Sequence, residues 1–206
     1  GREVTDPSES IVPEDGMEFT VEDEEWQYYR LSYILLNKPQ GYECSAKPSS
    51  NPSVMDLLPY PFRERGVQSV GRLDVDTTGL LLLSDDGSFS HSITSPKREK
   101  SKVYHITCKH PIEPGQVEKI LRGVELKDEP GVRVVATEAT KLSELELSLT
   151  ITQGKYHQVK RMIAAVGNRC EALQRVSIAG LKLPADLEEG EWRYLTPHEL
   201  EGLLAK

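Results

Sequence analysis

The sequence predicts an α+β fold, a mixed and mostly antiparallel sheet with flanking helices. Three observations predict it. Strand-length apolar runs outnumber helical stretches, no βαβ rhythm links them, and one strand alternates strictly while another is apolar throughout. A length of 206 residues suits one domain, or one domain with a small appendage.

Leu31 to Asn37 is an apolar run of strand length, ended by Lys38-Pro39-Gln40-Gly41. Pro52 to Leu58 suits a short helix with proline in its first turn. Val67 to Val70 leads into a Gly-bounded loop, and Leu80 to Leu83 follows as a strand buried on both faces. Ser84-Asp85-Asp86-Gly87 closes that strand with the Asp-Gly chemistry of a tight turn. Val103 to Cys108 reads as a strand, and Pro114 to Leu121 as a helix with Val117, Ile120 and Leu121 on one face. Leu145, Leu147, Leu149 and Ile151 alternate with polar partners, the pattern of a half-buried strand. In Tyr156 to Val166 the residues Val159, Met162, Ile163 and Val166 recur at helical spacing and face the core. Arg175 to Ile178 and Trp192 to Leu195 complete the strands, and Pro197 to Leu204 is a final helix.

Residues 1–25 stand apart, with short β-type stretches broken by Pro7, Pro13 and the Asp15-Gly16 turn, then an acidic tether. They hold ten acidic residues and one basic one, Arg2, a net of -9 against -8 for the whole chain. Residues 26–206 are therefore close to neutral, at +1. Within them Lys97 to Lys109 carries five basic residues against Glu99, and Lys155 to Arg175 carries five against Glu171. Two such segments meeting across a cleft would hold a phosphate backbone despite the acidic total; the alternative is two solvated faces. No apolar run is long enough to span a membrane, and no signal peptide opens the chain. Cys44, Cys108 and Cys170 are odd in number and far apart, which reads as reduced thiols of a cytoplasmic protein. The five histidines show no metal-binding spacing, so no metal is expected.

The chemistry centres on Gly71 to Gly87, GRLDVDTTGLLLLSDDG. It sets Arg72, Leu73 and Asp74 in the loop that feeds the apolar strand, so the Asp74 carboxylate is held rigidly at the strand's mouth. An isolated loop aspartate is usually a turn or cap residue. Asp76, before Thr77-Thr78-Gly79, reads as an Asx-type turn, and Asp85 and Asp86 as parts of the closing turn. Val75 to Leu80 carries part of an aspartic-protease D-T-G loop, but the extra threonine breaks the spacing and no second loop exists.

The whole seventeen-residue string resembles the signature of the RsuA/RluB branch of the pseudouridine synthases, in which the aspartate of GRLD is catalytic. The match covers almost the whole chain and implies that fold, with a central cleft holding Asp74. These enzymes detach uracil from C1′ of its ribose, turn it, and rejoin it through C5, without cofactor or metal. The carboxylate acts either as a covalent nucleophile or as a base. Gly154 to Met162 resembles the family's H-Q-x-[RK] motif, whose basic residue pairs with the aspartate. Lys160 fills that slot, with Arg161 in reserve, because a cation at contact distance favours the ionised carboxylate. On its own the segment reads as the basic face of an amphipathic helix. Gly154 and Lys155 precede a helix N-terminus, a phosphate cradle, and Gln158 belongs to the same motif. Tyr104, in Lys102-Val103-Tyr104, matches the tyrosine that packs against the target uracil; as a strand residue it is equally a core filler. Lys38 to Tyr42 matches the first motif, a loop bordering the cleft with Lys38 as a phosphate contact.

The resemblance implies a partial S4-like RNA-binding segment in residues 1–25 and the catalytic domain in 26–206. The two preceding S4 helices and an initiator Met are absent, so a truncated chain is expected. The implied substrate is one uridine of ribosomal RNA. LLNKPQGYECS, SHSITSPK and GKYHQVKRMIAAVGN favour 16S over 23S rRNA, in partly assembled small subunits, with the enzyme a monomer. A non-catalytic rRNA-binding or assembly factor on the same fold is the rival reading.

Overall fold

The computed structural model describes residues 4–6 and 8–205, so the breaks and charges assigned to Arg2 and Pro7 lie outside the described residues. In chain order the elements are β1 (Glu18–Val21), β2 (Glu24–Gln27), β3 (Tyr33–Lys38), α1 (Tyr60–Glu64), β4 (Gln68–Val70), β5 (Thr77–Ser84) and α2 (Gly87–Thr94). Then come β6 (Lys102–Cys108), α3 (Pro114–Arg122), β7 (Val124–Glu125), β8 (Arg133–Val134), β9 (Glu138–Lys141) and β10 (Glu146–Ile151). The chain closes with α4 (Gln158–Ala165), β11 (Cys170–Ile178), β12 (Leu181–Lys182), β13 (Trp192–Tyr194) and α5 (Pro197–Leu204). The stretch expected to be a short helix at Pro52 to Leu58 is a single 3₁₀ turn, Val54–Leu57.

Nine strands form one sheet in the order β13-β3-β5-β11-β6-β10-β9, with β4 joined to β5 and β12 to β11. Its pairings are antiparallel except β5 with β11, as the α+β reading requires. Leu80 and Leu82 pack with Leu35, Phe89, Ile93 and Leu203, under α2 and α5. Leu81 and Leu83 pack on the other face with Ile34, Leu36, Ile120, Val159, Met162 and Ile163, under α3 and α4. The unbroken leucine run is thus a central strand covered on both sides.

β5 forks the sheet. Along one edge it pairs with β3; the other is divided between β11, at Thr77 to Gly79, and β4, at Leu82 to Ser84. The Leu80 carbonyl falls between those partners, and Arg175 on β11 donates its Nε to it at 2.8 Å. Gly79 is required here: a Cβ at this residue (φ 98°) would stand 2.3 Å from the Arg175 carbonyl oxygen.

Two local expectations are corrected. The Ser84 to Gly87 segment is not a hairpin turn, because Asp86 caps α2 by accepting from the amides of Ser88 (2.8 Å) and Phe89 (3.1 Å). Phe89 and Ile93, one turn apart, supply the apolar face that makes a helix pay there. Asp85 instead accepts from the Ser32 amide (2.6 Å) and pairs with Arg65 (2.9 Å). The acidic tether is also structured: Glu22 and Asp23, at φ 51° and 66°, turn β1 back onto β2. Residues 25 and 26, where the sequence reading divides the chain, both lie in β2.

Candidate active site

The loop between β4 and β5 carries Asp74. Three neighbouring elements fix it. The Leu73 side chain is buried in the core and its amide donates to Cys44 Sγ at 3.4 Å. Gly41 donates its amide to the Val75 carbonyl at 2.8 Å, and Thr77 closes a turn onto the Asp74 carbonyl at 3.1 Å. Lys38, at the end of β3, is wholly buried and donates Nζ to the carbonyls of Pro39 (3.0 Å), Val75 (3.3 Å) and Thr77 (2.9 Å). Burial lowers its ammonium below the ordinary lysine range, against the pull of nearby acidic groups. The phosphate contact expected of Lys38 is therefore corrected: with no exposed surface and its donors spent on backbone, it staples the loop that carries Asp74.

The Asp74 carboxylate is half-buried and engaged on both oxygens. Lys160 Nζ lies 3.0 Å from Oδ2, and His157 Nε2 lies 3.3 Å from Oδ1. Lys160 also meets Asp76 Oδ1 at 2.5 Å, so one ammonium bridges two carboxylates. Burial pulls the Lys160 ammonium down, but the hydrogen bonds it donates to Asp76 and Asp74 outweigh it and raise it above its ordinary value. Burial likewise pushes Asp76 up, yet the hydrogen bond and charge of Lys160 leave it below the usual carboxylate range. The Asx turn expected of Asp76 is thus replaced by an ion pair; the local turn is closed by the Asp74 backbone.

His157 and Asp76 are the site residues that sequence reasoning passed over. His157 sits at the N-cap of α4 in the left-handed region, φ 46°, a conformation that costs a non-glycine residue about 1 kcal/mol or more. Its spacing to Lys160, three residues on a helix, was the available signal, since i and i+3 share a face.

The remaining candidates are distributed differently. Arg161 does not approach Asp74: it pairs with Asp128 (2.5 Å) and Glu129 (2.8 Å) and donates to the Tyr156 carbonyl (3.0 Å). The Lys155 ammonium lies 3.6 Å from Glu129, and its amide donates to Gln158 Oε1 at 3.0 Å, so part of the expected phosphate cradle is already occupied. Gln158 is buried. Lys102 is half-buried and donates to the carbonyls of Lys100 (3.0 Å) and Thr152 (3.4 Å). Arg72 is exposed beside Asp74. Tyr104 on β6 retains 8% of its surface and lies in register with Arg175, which is itself in register with Gly79.

The two basic segments adjoin as paired strands of one sheet, β6 and β11, which is not the meeting across a cleft that the sequence suggested. The second is not a free basic surface, however. Lys155, Lys160, Arg161 and Arg169 are each paired with acids, and Arg175 is buried. Among the described residues no group of three or more His, Cys, Asp or Glu side chains is placed to hold a metal ion. Among the described residues, too, no helix is long and apolar enough to cross a membrane.

Comparison with known proteins converges on one group. A family model described as RNA pseudouridylate synthase matches residues 32–165, which include Asp74, Tyr104, His157 and Lys160. The chain is 45% identical over 172 residues to the ribosomal small subunit pseudouridine synthase A of Vibrio parahaemolyticus, spanning 83% of this chain and 73% of that protein. It is 42% identical over 178 residues to the protein of the same name from Escherichia coli, spanning 86% and 76%. A crystal structure of a pseudouridylate synthase superposes with a TM-score of 0.80 at 39% identity, covering 90% of this chain and 83% of that one.

Proposed function

This chain belongs to the RNA pseudouridylate synthase family, and from that premise we propose that Asp74, Lys160 and Tyr104 carry its reaction. The enzyme isomerises a uridine of ribosomal RNA to pseudouridine, in the 16S RNA of the small subunit. The observation that carries the site assignment is the double engagement of Asp74, with Lys160 at 3.0 Å and His157 at 3.3 Å.

In this reading Asp74 starts the cleavage of the bond from C1′ to the base. Lys160, shared with Asp76, faces it with positive charge, and His157 holds its second oxygen, so the carboxylate is oriented before substrate arrives. Uracil then turns and rejoins through C5; the C5 proton is lost to solvent and N1, freed from C1′, takes up a proton, so the product is an isomer of the uridine. Tyr104, which packs in the core and keeps 8% of its surface exposed, supplies in this reading the surface against which the displaced base lies. Leu73 closes the loop beneath Asp74, while exposed Arg72 is placed for the RNA backbone.

The reading takes the enzyme to act as a monomer. The reading further assigns residues 1–25 to a remnant of an S4-like RNA-binding domain and 26–206 to catalysis. It places the enzyme in the cytoplasm, on folded RNA in partly assembled small subunits, where RNA shape sets the target. The test is to express the chain in cells lacking their small-subunit enzyme and to map pseudouridine in both large rRNAs. Restoration in 16S rRNA is expected; restoration confined to 23S rRNA would overturn the substrate, and none in either would overturn the activity.

A further inference from the structure

One aromatic ring at the site has no role in the reading above. Tyr156 is 74% exposed and immediately precedes His157. Its ring stacks on the imidazole with centroids 3.8 Å apart and planes 20° from parallel. The imidazole in turn touches Asp74 at 3.3 Å. A tyrosine serving only the core would be covered; here one face is used by His157 and the rest of the ring meets solvent at the rim of the catalytic site.

The backbone that carries the ring is also held in place before anything binds. Arg161, clamped between Asp128 and Glu129, donates to the Tyr156 carbonyl at 3.0 Å. Gln158 accepts from the Lys155 amide at 3.0 Å and fixes the residue before it. The backbone of 155–157 is therefore anchored on both sides of Tyr156, so ordering the platform adds little to the entropic cost of binding. This accounts for Arg161 as well: the cation next to Lys160 is spent on holding this segment rather than on Asp74.

We infer that the open face of Tyr156 is a stacking site for an unstacked nucleobase of the RNA, the neighbour of the uridine that enters the site. The inference rests on the functional reading above. A uridine turned out of its stack leaves its neighbour without a partner on one side, and an aromatic face next to the pocket restores that contact. Every base has a π-face, so Tyr156 contributes affinity without reading sequence.

Two measurements on the full chain test this, with variants Tyr156→Ala, Tyr156→Leu and Tyr156→Phe. The first titrates enzyme into a single-stranded oligouridylate carrying one 2-aminopurine, whose emission falls when it stacks. Wild type and Tyr156→Phe should quench it; Tyr156→Ala and Tyr156→Leu should not. The second follows tritium release from a C5-labelled 16S rRNA transcript. Loss of the ring should raise KM about tenfold with kcat within twofold, and Tyr156→Phe should match wild type. Equal quenching by wild type and Tyr156→Ala would overturn the stacking site. So would a fall in kcat at unchanged KM, which would mean the ring merely steadies His157. Ring-dependent quenching by a wild type that releases no tritium would keep the stacking site and remove the functional reading instead.

Discussion

The ammonium of Lys38 donates to the carbonyl of Thr77 at 2.9 Å in the protein interior, across 39 residues of sequence. With its further bonds to Pro39 and Val75, it ties the end of β3 to the start of β5 at the loop that carries Asp74. Replacing Lys38 by Met keeps the length of the side chain but takes a donor from the Pro39 and Thr77 carbonyls, while Val75 keeps the Gly41 amide. Lys38→Met should cost about 2–4 kcal/mol of stability, read from urea unfolding. A variant as stable as wild type would show that the three bonds are satisfied equally well by water.

Asp74→Asn should abolish isomerisation while leaving the fold intact. The change is nearly isosteric, and Lys160 retains Asp76 at 2.5 Å as its partner, so no cation is stranded. Tritium release from C5-labelled RNA reads the reaction, and thermal unfolding reads the fold. Turnover within tenfold of wild type would remove Asp74 from the mechanism.

Much of this was legible in the sequence because it is local. Leu80 to Leu83 announces a strand covered on both faces, and the alternation at Leu145 to Ile151 announces β10. The pairing of Asp74 with Lys160 is not local; the family resemblance implies it, and the structure brings the two to 3.0 Å. What stayed hidden depends on distant partners. Lys38 reads as a surface cation until the carbonyls of β5 are set around it. Arg161 and Lys160 look interchangeable until Asp128 and Glu129 claim the former. Asp86 reads as a turn residue because Asp-Gly serves turns and helix caps alike; only the packing of Phe89 and Ile93 decides between them.

Acid sensitivity should trace in part to the last helix. Glu199 closes the capping box of α5 with Thr196 and accepts from Arg193 at 2.7 Å and 2.8 Å. The bonds from Arg193 hold its carboxyl down to about 2, from an ordinary 4.5. A carboxyl depressed on folding stabilises above its unfolded value and loses that contribution as pH falls through the folded one. Glu199→Gln should therefore lower Tm at neutral pH and flatten the decline of Tm between about pH 4.5 and about pH 2. The check is Tm by circular dichroism across that range; parallel curves for both proteins would exclude Glu199 as a source of acid sensitivity.

Lys160→Met and Arg161→Met should fail in different ways, because adjacent cations on α4 face different partners. Removing Lys160 takes away the charge that Asp74 and Asp76 share and leaves two carboxylates facing each other. That strikes the reacting group itself, and kcat should fall by about a hundredfold with KM little changed. Asp76→Asn removes the closer of the two acids from Lys160, so the ammonium loses its anchor but Asp74 keeps a cation; kcat should fall less than in Lys160→Met. Arg161→Met frees Asp128 and Glu129 and unpins the Tyr156 carbonyl, a change in the rim rather than at Asp74. Its cost should appear as a higher KM and lower stability at nearly unchanged kcat. Steady-state kinetics of tritium release on the three variants separates these outcomes. If Arg161→Met lost kcat as deeply as Lys160→Met, the roles assigned to the two neighbours would have to be exchanged, since their spacing on α4 lets only one of them face Asp74.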